Sequence, residues 1–142
     1  MIFGGFEKLS LIDFPKKLSA VVYVFKCNFR CFYCHNPELI LENLISKQPK
    51  INEDKILSFL VNRKNYLEGL CITGGEPLIN LEIKEFIKEV KKIGYEIKID
   101  TNGTNPEFLE ELTKEKLINY VAMDIKAPFY KYKEITENDL YI

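Results

Sequence analysis

Apolar residues recur along this 142-residue chain in two alternating rhythms. Residues 19–26, Ser-Ala-Val-Val-Tyr-Val-Phe-Lys, form a near-continuous run rich in β-branched and aromatic types. A strand buried on both faces reads this way. Residues 69–73 and 120–124 are shorter runs of the same kind, and 95–100, Tyr-Glu-Ile-Lys-Ile-Asp, alternates as a strand does. Between these runs the period changes to that of a helix. After Asn52, a cap residue followed by Glu53 and Asp54, Ile56, Leu57, Leu60 and Val61 fall on one face. Over 81–93, Ile83, Phe86, Ile87 and Val90 form one stripe that stops at Gly94. Asn105 caps a further helix opened by Pro106, a position that tolerates proline, with Phe108, Leu109 and Leu112 inward.

The predicted order is strand, helix, strand, helix, strand, helix, strand. Such alternation argues for an α/β fold whose parallel strands are joined by right-handed crossovers. About four core strands are expected, in a single domain spanning 1–142. Each strand is followed by a polar motif. The first leads into three clustered cysteines, the second into Thr73-Gly-Gly-Glu-Pro77, the third into Asp100-Thr-Asn-Gly103 and the fourth into Asp124-Ile-Lys126. In parallel α/β folds the site lies at the carboxyl ends of the strands, so four separate motifs are expected to meet on one rim.

Composition narrows the class of protein. With 46% hydrophobic and 29% charged residues the chain is expected to fold around a real core. A net charge of −1 points to neither nucleic acid nor an anionic membrane as partner. The first residues lack the basic start and apolar run of a signal peptide, and no stretch approaches the roughly 20 apolar residues of a membrane span. A cytoplasmic location with reduced cysteines is therefore expected.

The cysteines carry the sharpest signal. Cys27-Asn-Phe-Arg-Cys31-Phe-Tyr-Cys34 offers three thiolates where a closed four-iron cluster takes four. Three ligands leave one iron open to a substrate or cofactor. Zinc held by Cys27, Cys31, Cys34 and His35 is the plainer alternative. Adjacent Cys34 and His35 would share one ion awkwardly, and no second zinc knuckle follows. Cys71, inside an apolar strand, reads as a buried core residue. Gly74-Gly75-Glu76-Pro77 reads either as a plain turn or as backbone that comes close to a ligand. Asp100 and Asp124 end apolar strands, where they need a partner or an ion. An Asp124–Lys126 surface pair is the simplest solution for the second of them.

This C-x3-C-x2-C spacing, with aromatic Tyr33 before the last cysteine, resembles the radical S-adenosylmethionine (SAM) superfamily. The resemblance implies a parallel-stranded partial (β/α) barrel, and this chain would lack its C-terminal strands. It implies a [4Fe-4S] cluster on Cys27, Cys31 and Cys34, with SAM chelating the open iron. Tyr33 would lie near the adenine, and Gly74, Gly75 and Glu76 would bind the methionine amino group. Within the superfamily the chain is similar to activating enzymes of glycyl-radical proteins, including the Cys-His-Asn-Pro run in which His35 shapes the loop. In these a monovalent cation sits beside the SAM carboxylate. Its ligands here would be Asp100, Thr101, Ala122 and Asp124, with Asn102 also at the cofactor and Lys126 reaching the SAM carboxylate. The string 3–15 and Asp124-Ile-Lys-Ala-Pro128 look most like activating proteins of anaerobic ribonucleoside-triphosphate reductase. The implied activity is reductive cleavage of SAM to a 5′-deoxyadenosyl radical that generates a glycyl radical on a partner such as anaerobic ribonucleotide reductase. Electrons would come from a low-potential donor such as flavodoxin or ferredoxin. A radical SAM enzyme acting on a small molecule, like 7-carboxy-7-deazaguanine synthase, and a non-catalytic zinc-binding or shortened form are the alternatives.

Overall fold

A computed structural model describes residues 1–138. Strands β1 (Ile2–Ser10), β2 (Ser19–Val24), β3 (Ile51–Asn52), β4 (Gly69–Gly74), β5 (Glu96–Thr101) and β6 (Tyr120–Met123) form one sheet, in the order β3-β1-β2-β4-β5-β6. The four strands expected from sequence, β2, β4, β5 and β6, run parallel. Two more extend this core on the β2 side, where β1 lies antiparallel between β2 and β3. Sequence periodicity misses β1 for a physical reason. Gly4 and Gly5 interrupt its apolar pattern, and its register against β2 shifts twice, so it keeps no clean alternation. Its C-terminal part is exposed.

The helices are α1 (Glu42–Ile45), α2 (Glu53–Arg63), α3 (Ile83–Ile93), α4 (Pro106–Lys114) and α5 (Tyr132–Thr136). Ile56 and Leu60 of α2, the full stripe of α3, and Phe108 and Leu112 of α4 share one core with Val22, Val24, Leu70, Ile72, Ile97 and Ile99 of the sheet. The three longer helices thus cover one face of the sheet. Phe3 of β1 joins this core, its ring 4.7 Å from that of Phe86. Tyr95 is buried there too and donates its hydroxyl to the Leu60 carbonyl at 2.9 Å.

The helix ends are held partly as expected. Gly94 closes α3 in the left-handed conformation, φ +99°, which costs glycine little. Asn105 accepts from the Phe108 amide and caps α4. Asn52 departs from its expected role: it precedes α2 in an extended conformation, yet its side chain makes no cap bond. The Glu53 amide donates instead to the Met1 carbonyl, an extension of the β1–β3 pairing. Val61, expected on the inner face of α2, is 59% exposed. It lies one position past Leu60, and 100° of helical turn carries it out of the buried stripe.

The other face of the sheet bears a second set of side chains. Register places Val21 opposite Cys71, Cys71 opposite Lys98, and Lys98 opposite Tyr120, so these four form one row across it. The buried Phe14 ring lies 6.1 Å from Tyr120 on this side. β6 is the outer strand of the sheet, with Tyr120, Val121 and Met123 exposed.

The face assignment of α2 and α3 is testable. Ile87→Ala, which empties a fully buried position, is expected to cost about 2–5 kcal/mol of unfolding free energy. Val61→Ala is expected to change it by less than about 0.5 kcal/mol. Equal losses in urea titrations of the two variants would refute the assignment.

Candidate cofactor site

A cavity of about 340 Å³ opens at the carboxyl ends of β2, β4 and β5. Cys27, Cys31, Tyr33, Cys34, Gly74, Gly75, Glu76, Asp100, Thr101, Asn102, Asp124 and Lys126, all singled out from sequence, line it, whereas Ala122, expected as a cation ligand, is not among the lining residues. The four motifs separated along the chain therefore meet at one place.

The cysteine loop leaves β2 through Lys26, which adopts φ +70° and donates its amide to the Leu39 carbonyl at 2.8 Å. Phe29 is buried beneath the loop, its ring 6.2 Å from that of Tyr132. Its amide donates to Cys27 Sγ at 3.4 Å. The Cys34 amide donates to the Cys31 carbonyl at 3.0 Å and closes the turn that carries both thiols. Arg30, which as a sequence reads as merely solvated, donates to the Cys27 and Phe29 carbonyls at 2.6 and 2.8 Å. All four cysteines are free thiols, and Cys71 is buried, as expected. Burial pushes the Cys27 thiol up. It does the same at Cys31, where the Lys126 charge works against it.

These donors suit one kind of metal better than another. Among the described residues no three His, Cys, Asp or Glu side chains gather closely enough for a single ion. Three free thiols on one loop are the donor set that a four-iron cluster with one open iron would take. The N–H···S bond to Cys27 is of the kind that tunes such clusters. The residues present fit the cluster.

The glycines of the next loop meet the protein's own backbone. Gly74 adopts φ +108°, and a Cβ on Gly75 would fall 1.9 Å from the Lys26 carbonyl oxygen. The Gly75 and Glu76 amides donate to the Val24 and Lys26 carbonyls at 2.9 and 2.8 Å. These glycines are thus required where the loop presses on the start of the cysteine segment, while they also line the cavity.

Glu76 is 1% exposed. Its Oε1 accepts from the Thr101 hydroxyl at 2.7 Å and the Leu78 amide at 3.0 Å, and its Oε2 from the Asn102 amide at 2.6 Å. Burial pushes its carboxyl up, and those three donors hold it back. The side chain expected at a ligand's amino group is thereby turned to joining the β4 and β5 loops. Asn102 carries the connection onward. Its Nδ2 donates to Asn28 Oδ1 at 2.8 Å, its Oδ1 accepts from Thr104, and Asn28 Nδ2 donates to Thr104 Oγ1 at 2.7 Å.

The far wall carries charge. Asp100 is ion-paired with Lys98, and its Oδ2 lies 3.5 Å from Cys71 Sγ. Burial, with the Asp100 carboxylate adding to it, pushes the Cys71 thiol up to about 12. Asp124 pairs with Lys126 at 2.6 Å, the simple pair that the sequence suggests. The Tyr33 hydroxyl donates to the Lys126 carbonyl at 2.6 Å and joins the cysteine loop to the segment after β6. Sequence reasoning missed Asn28, Thr104 and Lys98. The first two carry no signal before the loops are brought together. Lys98 was legible: it shares a face with Asp100 two residues away in an alternating strand.

Replacing Glu76 tests the bridge between the loops. Glu76→Gln sets an amide NH2 against one of three N–H or O–H donors. A loss of about 1–3 kcal/mol in chemical denaturation is expected, the cost of an unmatched buried donor. Stability equal to the parent would dismiss the bridge.

Comparison with known proteins agrees with this arrangement. The family model described as the radical SAM superfamily matches residues 21–141. A protein of Methanocaldococcus jannaschii, provisionally named a glycyl-radical enzyme activating enzyme, is 42% identical over 137 residues, 94% of this chain and 54% of that protein. The pyruvate formate-lyase-activating enzyme of Staphylococcus epidermidis is 28% identical over 130 residues, 84% of this chain and 51% of the relative. A 7-carboxy-7-deazaguanine synthase of Methanospirillum hungatei is 32% identical over 106 residues, 72% of this chain and 39% of the relative. The chain spans about half the length of the curated relatives that it matches along most of its own. Among solved structures, QueE from Escherichia coli superimposes with a TM-score of 0.58 at 21% identity, over 72% of this chain and 52% of that one, a likeness of fold. The family match covers the cysteine loop, the glycine-rich loop and, from Val21 onward, the four parallel strands that carry the cavity, and the chain belongs to the radical SAM superfamily.

Proposed function

We propose that this chain is the cluster- and SAM-binding core of a glycyl-radical activating enzyme. The observation that carries the reading is the meeting of all four strand-end motifs at one cavity, in a chain 42% identical to a relative named for that activity. Cys27, Cys31 and Cys34 hold a [4Fe-4S] cluster. When bound there, the cluster would supply the single electron for reductive cleavage of SAM, the chemistry that an activating enzyme directs at a partner's glycine.

The protein's own residues bind and orient. The backbone of Gly74 and Gly75 lines the cavity next to the cysteine loop and offers carbonyls to the methionine amino group. Glu76 and Asn102 fix that backbone against the cysteine loop. Lys126, beside Cys31, takes the methionine carboxylate as a point charge. Burial works against the Lys126 charge, but Asp124 holds its pKa above the ordinary lysine value, so the ammonium persists at neutral pH. Tyr33 keeps the cysteine loop and the Lys126 segment together at the adenine side. Asp100 and Asp124, the carboxylates expected to hold a monovalent cation, are each ion-paired with a lysine, Lys98 and Lys126 respectively.

The partner is a glycyl-radical enzyme, with anaerobic ribonucleotide reductase the first to try. A flavodoxin or ferredoxin is the electron donor, and the setting is an anaerobic cytoplasm. Among the described residues no helix is long and apolar enough to cross a membrane. The small-molecule reading draws on the relative named 7-carboxy-7-deazaguanine synthase.

Two measurements test the proposal. Reduced, anaerobically reconstituted protein is expected to turn SAM into 5′-deoxyadenosine, with a glycyl radical in the paramagnetic resonance spectrum only when the partner is added. Turnover with a small molecule and no partner would favour the other reading. Cys31→Ala is expected to lose stable cluster assembly because one of three ligands is gone. Iron and sulfide contents matching the parent would overturn the ligand assignment.

A further inference from the structure

Lys98 is a buried cation in a sheet row that binds nothing in the scheme above. It is 7% exposed, and its neighbours across the row are Cys71 and Tyr120. Its ammonium is ion-paired with Asp100 and lies 3.5 Å from Cys71 Sγ. The thiol itself sits 3.5 Å from the second Asp100 oxygen. The carboxylate is thus engaged at both oxygens from below, while it lines the cavity from above. Register puts Asp100 opposite Ala122, and the Asp124 amide donates to the Thr101 carbonyl at 2.9 Å, so Asp100 and Asp124 end neighbouring strands. Each of these carboxylates has its own lysine. Of the two pairs, only Lys98–Asp100 is enclosed, with side chains 9% and 25% exposed.

From these pairs we infer that the Lys98 ammonium takes the place of a dissolved monovalent cation at Asp100, from the sheet side of that carboxylate. The inference rests on the radical SAM reading of the cavity. A potassium or sodium ion bound at Asp100 would have to displace an ammonium that is tethered two residues away. The displaced ammonium would then stay buried without its counter-charge, a far worse state than the pair. A tethered cation also competes at high effective concentration, whereas a dissolved one must be gathered from solution. Burial works against the Lys98 charge, yet Asp100 and Cys71 hold its pKa above the ordinary lysine value. Lys98 therefore acts as a positioning residue. It fixes Asp100 and neutralises that carboxylate whatever salt is present.

The experiment is SAM binding to the reconstituted, unreduced protein by calorimetry, in potassium, sodium or tetramethylammonium chloride at matched ionic strength. The parent is expected to bind within about twofold in all three salts, and Lys98→Met about tenfold more weakly in tetramethylammonium, with potassium or sodium restoring most of the loss, a change of about 1.4 kcal/mol. Lys98→Arg, which keeps the charge, is expected to bind independently of the salt. A merely structural lysine would not yield to rescue by a small cation. A parent that needs potassium or sodium overturns the inference and leaves the radical SAM reading intact. So does a Lys98→Met protein that loses affinity equally in all three salts. A parent that carries the cluster but binds SAM in none of them defeats the underlying reading, and this inference with it.

Discussion

A single buried carboxylate holds the site together. Glu76 gives up its water for three protein donors, from Thr101, Asn102 and Leu78. An ionised group without such partners would be far too costly at 1% exposure. Because two of the donors belong to the β5 loop and the third to its own, the charge can be satisfied only when both loops are in place. The arrangement is cooperative: Asn102, once held, spends its side chain on Asn28 and Thr104, beside Cys27. A chain of hydrogen bonds thus runs from the middle of the sheet to the first cysteine.

The glycines complete that constraint from the other side. Gly75 lies against the Lys26 carbonyl so closely that no side chain could intervene. The loop after β4 is pressed onto the loop after β2 by backbone bonds, and joined to the loop after β5 by Glu76. Three strand ends are therefore locked to one another by the protein's own bonds. Preorganisation of this kind places the cost of ordering in folding rather than in binding. Glu76, which reads as a ligand contact from sequence, lines the cavity while its carboxylate accepts from its three donors. Its carboxylate organises the loop whose backbone faces the cavity.

Much of this was legible in the sequence, and the exceptions share a cause. The four parallel strands, the α3 stripe ending at Gly94 and the Asn105 cap follow from local patterns, and the structure repeats them. The convergence of the cysteines with the Gly-Gly-Glu, Asp-Thr-Asn and Asp-Ile-Lys segments follows from parallel topology alone. What local pattern does not encode is partnership across the chain. Ile2–Ser10 becomes a strand because β2 and β3 pair with it, in spite of its glycines. Asn52 loses its capping role because the Met1 carbonyl reaches the Glu53 amide. Asn28 and Thr104 are 76 residues apart and acquire meaning only when hydrogen-bonded.

The two ion pairs at the cavity show how the same chemistry takes different roles at different depths. Lys98–Asp100 and Lys126–Asp124 both join residues two apart on a strand or just beyond one. The Lys98 side chain is almost wholly enclosed, so separating that pair would strand a charge in a poorly hydrated place. Asp124 is mostly exposed, and a pair there contributes little to stability. Asp124 and Lys126 follow the outer strand β6, whose Tyr120, Val121 and Met123 are exposed. The cavity consequently has an enclosed ion pair at the end of β5 and a more exposed one after β6. On the proposed reading, a charge that exchanges partners with an incoming carboxylate belongs in the exposed pair, where Lys126 can leave Asp124 at small cost. A charge that holds its place belongs in the enclosed pair, and that is where Lys98 lies.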